Sequence, residues 1–289
     1  MLSLHTNASA LNIQKNLANT QSNLSTSMTR LGTGHRINSA KDDAAGLQIA
    51  TRLQAQTNGM KVAMQNTQNA TSMLQTAEGA FSEVTNILLR MKDLATQSAD
   101  GSSTAADRDA LQAEFDALGS ELYNIISNTS YGNEKLLDST TGKLASSVTF
   151  QIGATSAETL DFDVSAAITG LSTDLGNLSS QFAAAPIAPG TEITTATGAN
   201  AKIDEIAAQL DAVGAVRSSL GAVQNRLEHT SNNLANMVGN TTDATGRIMD
   251  VDYASESSNM ASQQILMQAS TAMLKQASSM NQMVLSLIQ

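Results

Sequence analysis

Ile206, Val213, Leu220, Leu227 and Leu234 recur every seven residues in one proline-free stretch. A seven-residue apolar repeat lays one stripe along an α-helix, and that stripe needs a second helix to cover it. Val216, Val223 and Met237 flank the repeat and widen it. The same rhythm of threes and fours appears near the start, through Ile13, Leu17, Thr20, Leu24, Ser27 and Leu31, with Leu4 and Leu11 extending it upstream. A second segment, from about 44 to 97, carries it through Ala50, Leu53, Thr57, Met60, Met64, Thr67, Leu74, Phe81, Leu88 and Met91. At ~1.5 Å per residue such a helix runs on the order of 75 Å, and a rod of that length needs a partner along it. Leu111, Phe115, Leu118, Leu122, Ile125 and Ile126 predict a helix over 105–128. Leu266, Ala269, Met273, Met280, Val284 and Leu287 predict a last one over about 253–288.

The two prolines, Pro186 and Pro189, sit together, so the strongest helix breaker is confined to one place. Residues 169–201 around them are rich in Gly, Ser, Thr and Ala without period and read as an exposed, loop-rich excursion. Upstream, Val148, Phe150 and Ile152 alternate, turn residues follow over 153–159, and Leu160, Phe162 and Val164 alternate again. One β-hairpin is the economical reading. The predicted fold class is therefore mostly α: a long antiparallel coiled-coil or helical bundle with a small β-hairpin, its N- and C-terminal helices paired.

Charge separates the ends from the middle. The net charge is −10, yet no acid precedes Asp42, and Lys275 is the sole charge after Glu256. Gln, Asn, Ser and Thr take the place of charges at the ends, which suits contact between packed helices better than an open aqueous face. A pair of such helices leaves uncharged surface facing water, so the expected partner is another copy of the chain, with both ends weakly ordered until copies associate. The acidic balance disfavours nucleic acid and anionic membranes. No apolar run approaches the ~20 residues that span a bilayer, and the first twenty residues lack the pattern of a cleaved secretory signal.

The chemistry-bearing residues are few. The chain has no Cys and no Trp, which excludes thiol nucleophiles, thiolate metal sites and aromatic-rich pockets. Asp42 and Asp43 read as helix caps, with Ser39 and Asp42 as a capping-box variant, and Asp250 and Asp252 read as caps of the last helix. His5, His35 and His229 have neither metal nor nucleophile spacing. No phosphate loop, nucleophile elbow or zinc-protease motif is present, so the reading is a non-enzyme without cofactor or metal.

Longer motifs then carry a resemblance. Arg36-Ile37-Asn38-Ser39-Ala40-Lys41-Asp42-Asp43-Ala44-Ala45-Gly46-Leu47, preceded by Ala10-Leu11-Asn12 and Arg30-Leu31, resembles the N-terminal signature of bacterial flagellins. Leu220-Gly221-Ala222-Val223-Gln224-Asn225-Arg226-Leu227 is similar to their C-terminal half, as are Arg247-Ile248, Asp252-Tyr253-Ala254 and Val284-Leu285-Ser286-Leu287. Thr149-Phe150-Gln151-Ile152-Gly153 resembles the family's first hairpin strand.

The resemblance implies the subunit of the flagellar filament, used for swimming, exported through the flagellar type III channel and located outside the cell. It implies residues 1–42 plus 250–289 as terminal helices of an inner tube, 43–165 plus 201–249 as the helical bundle with the hairpin, and 166–200 as a short variable surface insertion. Self-assembly would then rest on Leu4, Leu11, Leu17, Leu24, Leu31, Leu266, Met273, Met280, Val284 and Leu287. Implied partners are copies of the chain in a homopolymer, an export chaperone, and cap and junction proteins. A host Toll-like receptor is a further implied partner, through Arg90, Leu94, Gln97 and Glu114. The chain departs from the family pattern in Tyr131-Gly132-Asn133, where the order Asn-Gly is common, in Asn281, where many members have Pro, and in ending on Gln289 rather than a basic residue.

Overall fold

The computed structural model describes residues 7–185 and 188–288, with side chains through residue 280. Leu4 and Gln289 lie outside the described residues, as do the side chains of Asn281, Val284 and Leu287. The chain divides into two compact units. Unit 1 takes residues 1–57 and 239–289, and unit 2 takes residues 58–238.

Six helices are described: α1 (Ala8–Thr33), α2 (Ala44–Ala99), α3 (Ala105–Asn128), α4 (Ser165–Leu178), α5 (Ala196–Met249) and α6 (Tyr253–Ile288). Their ends follow local chemistry. Asn7 caps α1, its Oδ1 accepting from Ala10 N–H at 3.0 Å, and Gly34 closes the helix in the left-handed conformation that a glycine adopts without a Cβ penalty. Thr104 and Asp107 form a reciprocal capping box on α3. Asp43 caps α2 through Gly46 N–H at 2.9 Å. Asp42 does not cap a helix but closes the preceding turn, accepting from the N–H groups of Asn38 and Ser39 and from the Ser39 hydroxyl. The donation from Asn38 N–H, with those from Ser39, holds the Asp42 carboxyl below the usual range.

Unit 2 has one continuous core. The heptad of α5 is buried throughout, and its members Ile206, Val213, Leu220 and Leu227 share a core with Leu74, Phe81, Leu88 and Met91 of α2 and Phe115, Leu122 and Ile126 of α3. A smaller cluster joins Met60 and Ala63 to Leu234.

Two hairpins form where one was expected. In the first, β1 (Ser130–Tyr131) pairs with β2 (Glu134–Lys135). Gly132 and Asn133 both have positive φ, +61° and +71°, the geometry of a two-residue type I′ turn. The reversed order Gly-Asn therefore still makes the tight turn, because Asn tolerates the left-handed region better than other side-chain-bearing residues. In the second, β3 (Val148–Gln151) pairs antiparallel with β4 (Thr159–Phe162), Val148 opposite Phe162 and Phe150 opposite Leu160. The tip of this hairpin rests on α2: a Cβ on Gly59 would come within 2.8 Å of the Ala154 Cβ.

The expected exposed excursion over 166–200 is corrected. Its first part is α4, and Ile168, Leu171, Leu175 and Leu178 step by three, four and three into the main core, each at most 3% exposed. Gly170, Thr173, Asp174, Gly176 and Asn177 face outward. That polar face dominates the composition and conceals a four-residue apolar stripe. Burying those four residues is worth on the order of 6–12 kcal/mol gross.

After α4 the chain remains tied to α3 by polar groups. Gln112 donates to Asp116 at 2.7 Å and to Glu192 at 2.6 Å, and accepts from Ile193 N–H at 2.7 Å. Burial pushes the Glu192 carboxyl up, but donation from the Ser180 N–H and from Gln112 brings it below the ordinary glutamate value.

Candidate assembly surface

Within unit 1, α1 and α6 run antiparallel. Asn7 Nδ2 donates to the Ala277 carbonyl at 3.0 Å at one end, and Arg30 lies 3.7 Å from Glu256 at the other. The seam between them is narrow. On α1 it follows the predicted stripe: Leu24 and Ser27 are buried, and Ile13, Leu17, Thr20 and Leu31 are half-buried. On α6 it uses Met260, Gln263, Met267, Ser270, Leu274 and Ala277, again in threes and fours, with Ala277 buried and the rest half-buried.

A second apolar set faces outward. Leu11 and Met28 of α1 and Ile265, Leu266, Met273 and Met280 of α6 are 51–66% exposed. A paired helix buries one stripe, and both helices carry two. The residues singled out from sequence thus separate. Leu24 is buried in the seam, Leu17 and Leu31 are half-buried on it, and Leu11, Leu266, Met273 and Met280 stand on the outer surface. Ile265 was not on the stripe predicted for this helix, nor were the α6 seam residues. The 260–277 spacing was legible, but its polar members Gln263 and Ser270 drew weight to the more apolar repeat of Leu266, Met273 and Met280.

The segments linking these helices to α2 and α5 clasp each other. Arg36 N–H donates to the Met249 carbonyl at 2.6 Å and Val251 N–H to the Gly34 carbonyl at 3.0 Å. The Arg36 guanidinium reaches the Ile248 carbonyl at 2.9 Å, satisfying a carbonyl left open at the end of α5. Asp252 caps α6 through Ala254 N–H. Asp250 does not cap it: this carboxylate lies 3.4 Å from His35 Nδ1. Among the described residues no group of three or more His, Cys, Asp or Glu could hold a metal ion.

In unit 2, Arg90 of α2 makes a two-pronged contact with Glu114 of α3, at 2.8 Å and 2.7 Å, and both side chains remain about half exposed. Gln97 is exposed a little under one turn beyond Leu94. Leu94 itself is 1% exposed and part of the core, so its side chain offers no surface to a partner. Leu89 is the exposed apolar residue beside Arg90.

Two family models match the chain. One describes the bacterial flagellin N-terminal helical region and matches residues 4–141, and the other describes the C-terminal helical region and matches residues 201–288. The chain belongs to the bacterial flagellin family. Polar flagellin F of Vibrio parahaemolyticus is 49% identical over 163 residues, covering 56% of this chain and 42% of that protein. B-type flagellin of Pseudomonas aeruginosa is likewise 49% identical over 163 residues, covering 33% of its own length. The chain thus spans less than half the length of these curated relatives. A solved structure described as a flagellar hook-associated protein of Vibrio parahaemolyticus shares the fold, with a TM-score of 0.56 at 14% identity, over 72% of this chain and all of that one. The flagellin chain is mostly α, a helical bundle with small antiparallel hairpins and paired terminal helices.

Proposed function

We propose that this flagellin is the structural subunit of the extracellular flagellar filament and polymerises through its terminal helices for swimming motility. The observation that carries the reading is the outer apolar face of the α1 and α6 pair, where six large side chains stand exposed on helices almost free of charge. Water is a poor neighbour for such a surface, and identical copies offer a matching one. Residues 1–42 plus 250–289 would line the inner tube, with the rest of the chain outside it. Export through the flagellar type III channel, with an export chaperone and with cap and junction proteins as partners, belongs to the same reading, and membership of the flagellin family supports it. No helix among the described residues is long and apolar enough to cross a membrane.

Purified chain, concentrated with short filament seeds or a precipitating salt, should give long tubes in negative-stain electron microscopy. The same chain lacking residues 1–40 and 255–289 should give none. Short rings or capped stubs from the intact chain would instead favour a hook–filament junction protein, the alternative raised by the fold shared with a hook-associated protein.

Recognition by a host Toll-like receptor is a second reading, supported by the exposure of Arg90, Leu89 and Gln97 on one side of α2 and by the Glu114 carboxylate that holds the Arg90 guanidinium. Leu94 would act from beneath, by fixing the helix. Arg90→Ala should weaken receptor activation and leave polymerisation intact, and unchanged activation removes Arg90 from the surface.

A further inference from the structure

Charges are scarce in the α1 and α6 pair. Helix α1 carries only Lys15 and Arg30, and α6 carries only Glu256 and Lys275. One pairing of opposite charges is made across the seam, Arg30 with Glu256, and it sits at the end next to the connecting segments. Glu256 is 8% exposed, and the Arg30 Nε is buried without a hydrogen-bond partner among the described residues. The Arg30 side chain is 30% exposed and the contact is longer than a hydrogen bond, so replacing the pair by apolar residues should change the stability of the helices little.

Apart from the backbone clasp of residues 34–36 with 249–251 and the Asn7–Ala277 contact, the seam does little to fix alignment. Leu, Met, Ser, Thr, Gln and Ala alternate in threes and fours on both helices, so sliding α6 by one heptad would again face small or flexible residues with one another. The slide moves Glu256 opposite Asn23, which carries no charge, in one direction and past the end of α1 at Thr33 in the other. Lys15, the other cation of α1, lies four turns from Arg30. A slip toward Asn23 therefore leaves the carboxylate desolvated and unpaired, whereas the native register does not.

We infer that Arg30 and Glu256, beside the backbone clasp, reinforce the register of α1 against α6, contributing specificity of alignment rather than stability. The inference concerns the two helices of one chain and goes beyond the filament reading. It extends the behaviour of single buried polar residues in coiled coils, which fix register at some cost in stability.

The chain has no cysteine, so introduced pairs report cleanly. Thr20→Cys lies between the two observed cross-seam contacts and faces the middle of α6. Combined in the full chain with Gln263→Cys or Met267→Cys it should oxidise readily. Combined with Met260→Cys or Leu274→Cys, which come opposite only after a slip, it should give about tenfold less disulfide. In the Arg30→Met/Glu256→Met background the preference should fall by at least about threefold, with helix content by circular dichroism unchanged. The exchanged pair Arg30→Glu/Glu256→Arg should restore it, which a purely steric role for these side chains would not do. An even distribution of disulfides in the parent overturns the inference, and so does a preference that survives intact in the double Met variant.

Discussion

Unit 2 and unit 1 are built from the same heptad grammar and finish differently. In unit 2, α2, α3, α4 and α5 surround one another, and residues such as Phe81, Phe115, Leu175 and Leu220 lie fully out of water. In unit 1, α1 meets α6 along a single stripe, most seam residues stay half-buried, and a second apolar set remains outside. Charge divides the same way, with seven Lys or Arg against six acids in unit 1 and nine against twenty in unit 2. Four helices can bury all their apolar stripes internally, and two cannot. Unit 2 is accordingly complete in one chain, whereas unit 1 presents what an additional copy would cover.

The largest effect should come from emptying the closed core. Phe81→Ala should cost about 3–5 kcal/mol in denaturant unfolding, against less than about 1 kcal/mol for Leu17→Ala on the half-open seam. Equal costs would erase the contrast between the units. Leu175→Ala comes next, at about 2–4 kcal/mol, because α4 is part of that core. A loss within about 0.5 kcal/mol would return α4 to the surface.

Acid should distinguish the units a third way. Seven carboxylates of unit 2 are held below their ordinary values by hydrogen bonds: Asp100, Asp107, Glu134, Asp138, Glu158, Asp163 and Glu192. Among the described residues of unit 1, only Asp42 is so held. A carboxylate with a depressed folded pKa contributes stability above its unfolded value, and that stability disappears as pH falls through the folded one. Unit 2 should therefore weaken progressively from about pH 4.5 downward, read as a falling denaturant midpoint of the chain lacking both terminal helices. A midpoint flat to pH 3 would show that these hydrogen bonds persist in the unfolded chain.

Amide exchange sharpens the comparison without mutation. In the monomer, residues 8–33 and 253–280 should exchange well before the heptads of 206–234, and polymerisation should bring the two sets together. Equal protection in the monomer would mean that unit 1 needs no second copy. The smallest effect is expected at Arg90: its exposed bridge to Glu114 is worth roughly 0–1 kcal/mol, so Arg90→Ala should barely move thermal unfolding.

Much of this was legible from local pattern. The heptad of α5, the span of α3, the caps Asp43 and Asp252 and the stripe of α1 are short-range statements, since spacing and caps depend on residues three or four positions apart. The α4 helix was hidden because its stripe is only four residues wide and its other face reads as a loop. The Gly132-Asn133 turn was legible in position but not in type.

The sequence alone determined that the ends are long helices with more apolar surface than one neighbour can cover. Only the tertiary structure decided which of two interleaved stripes on α6 goes inward, Met260 to Ala277 toward α1 or Leu266 to Met280 toward the outside. Periodicity is a property of one helix and fits both stripes equally well. The choice depends on the partner, and here it coincides with the register in which Arg30 meets Glu256.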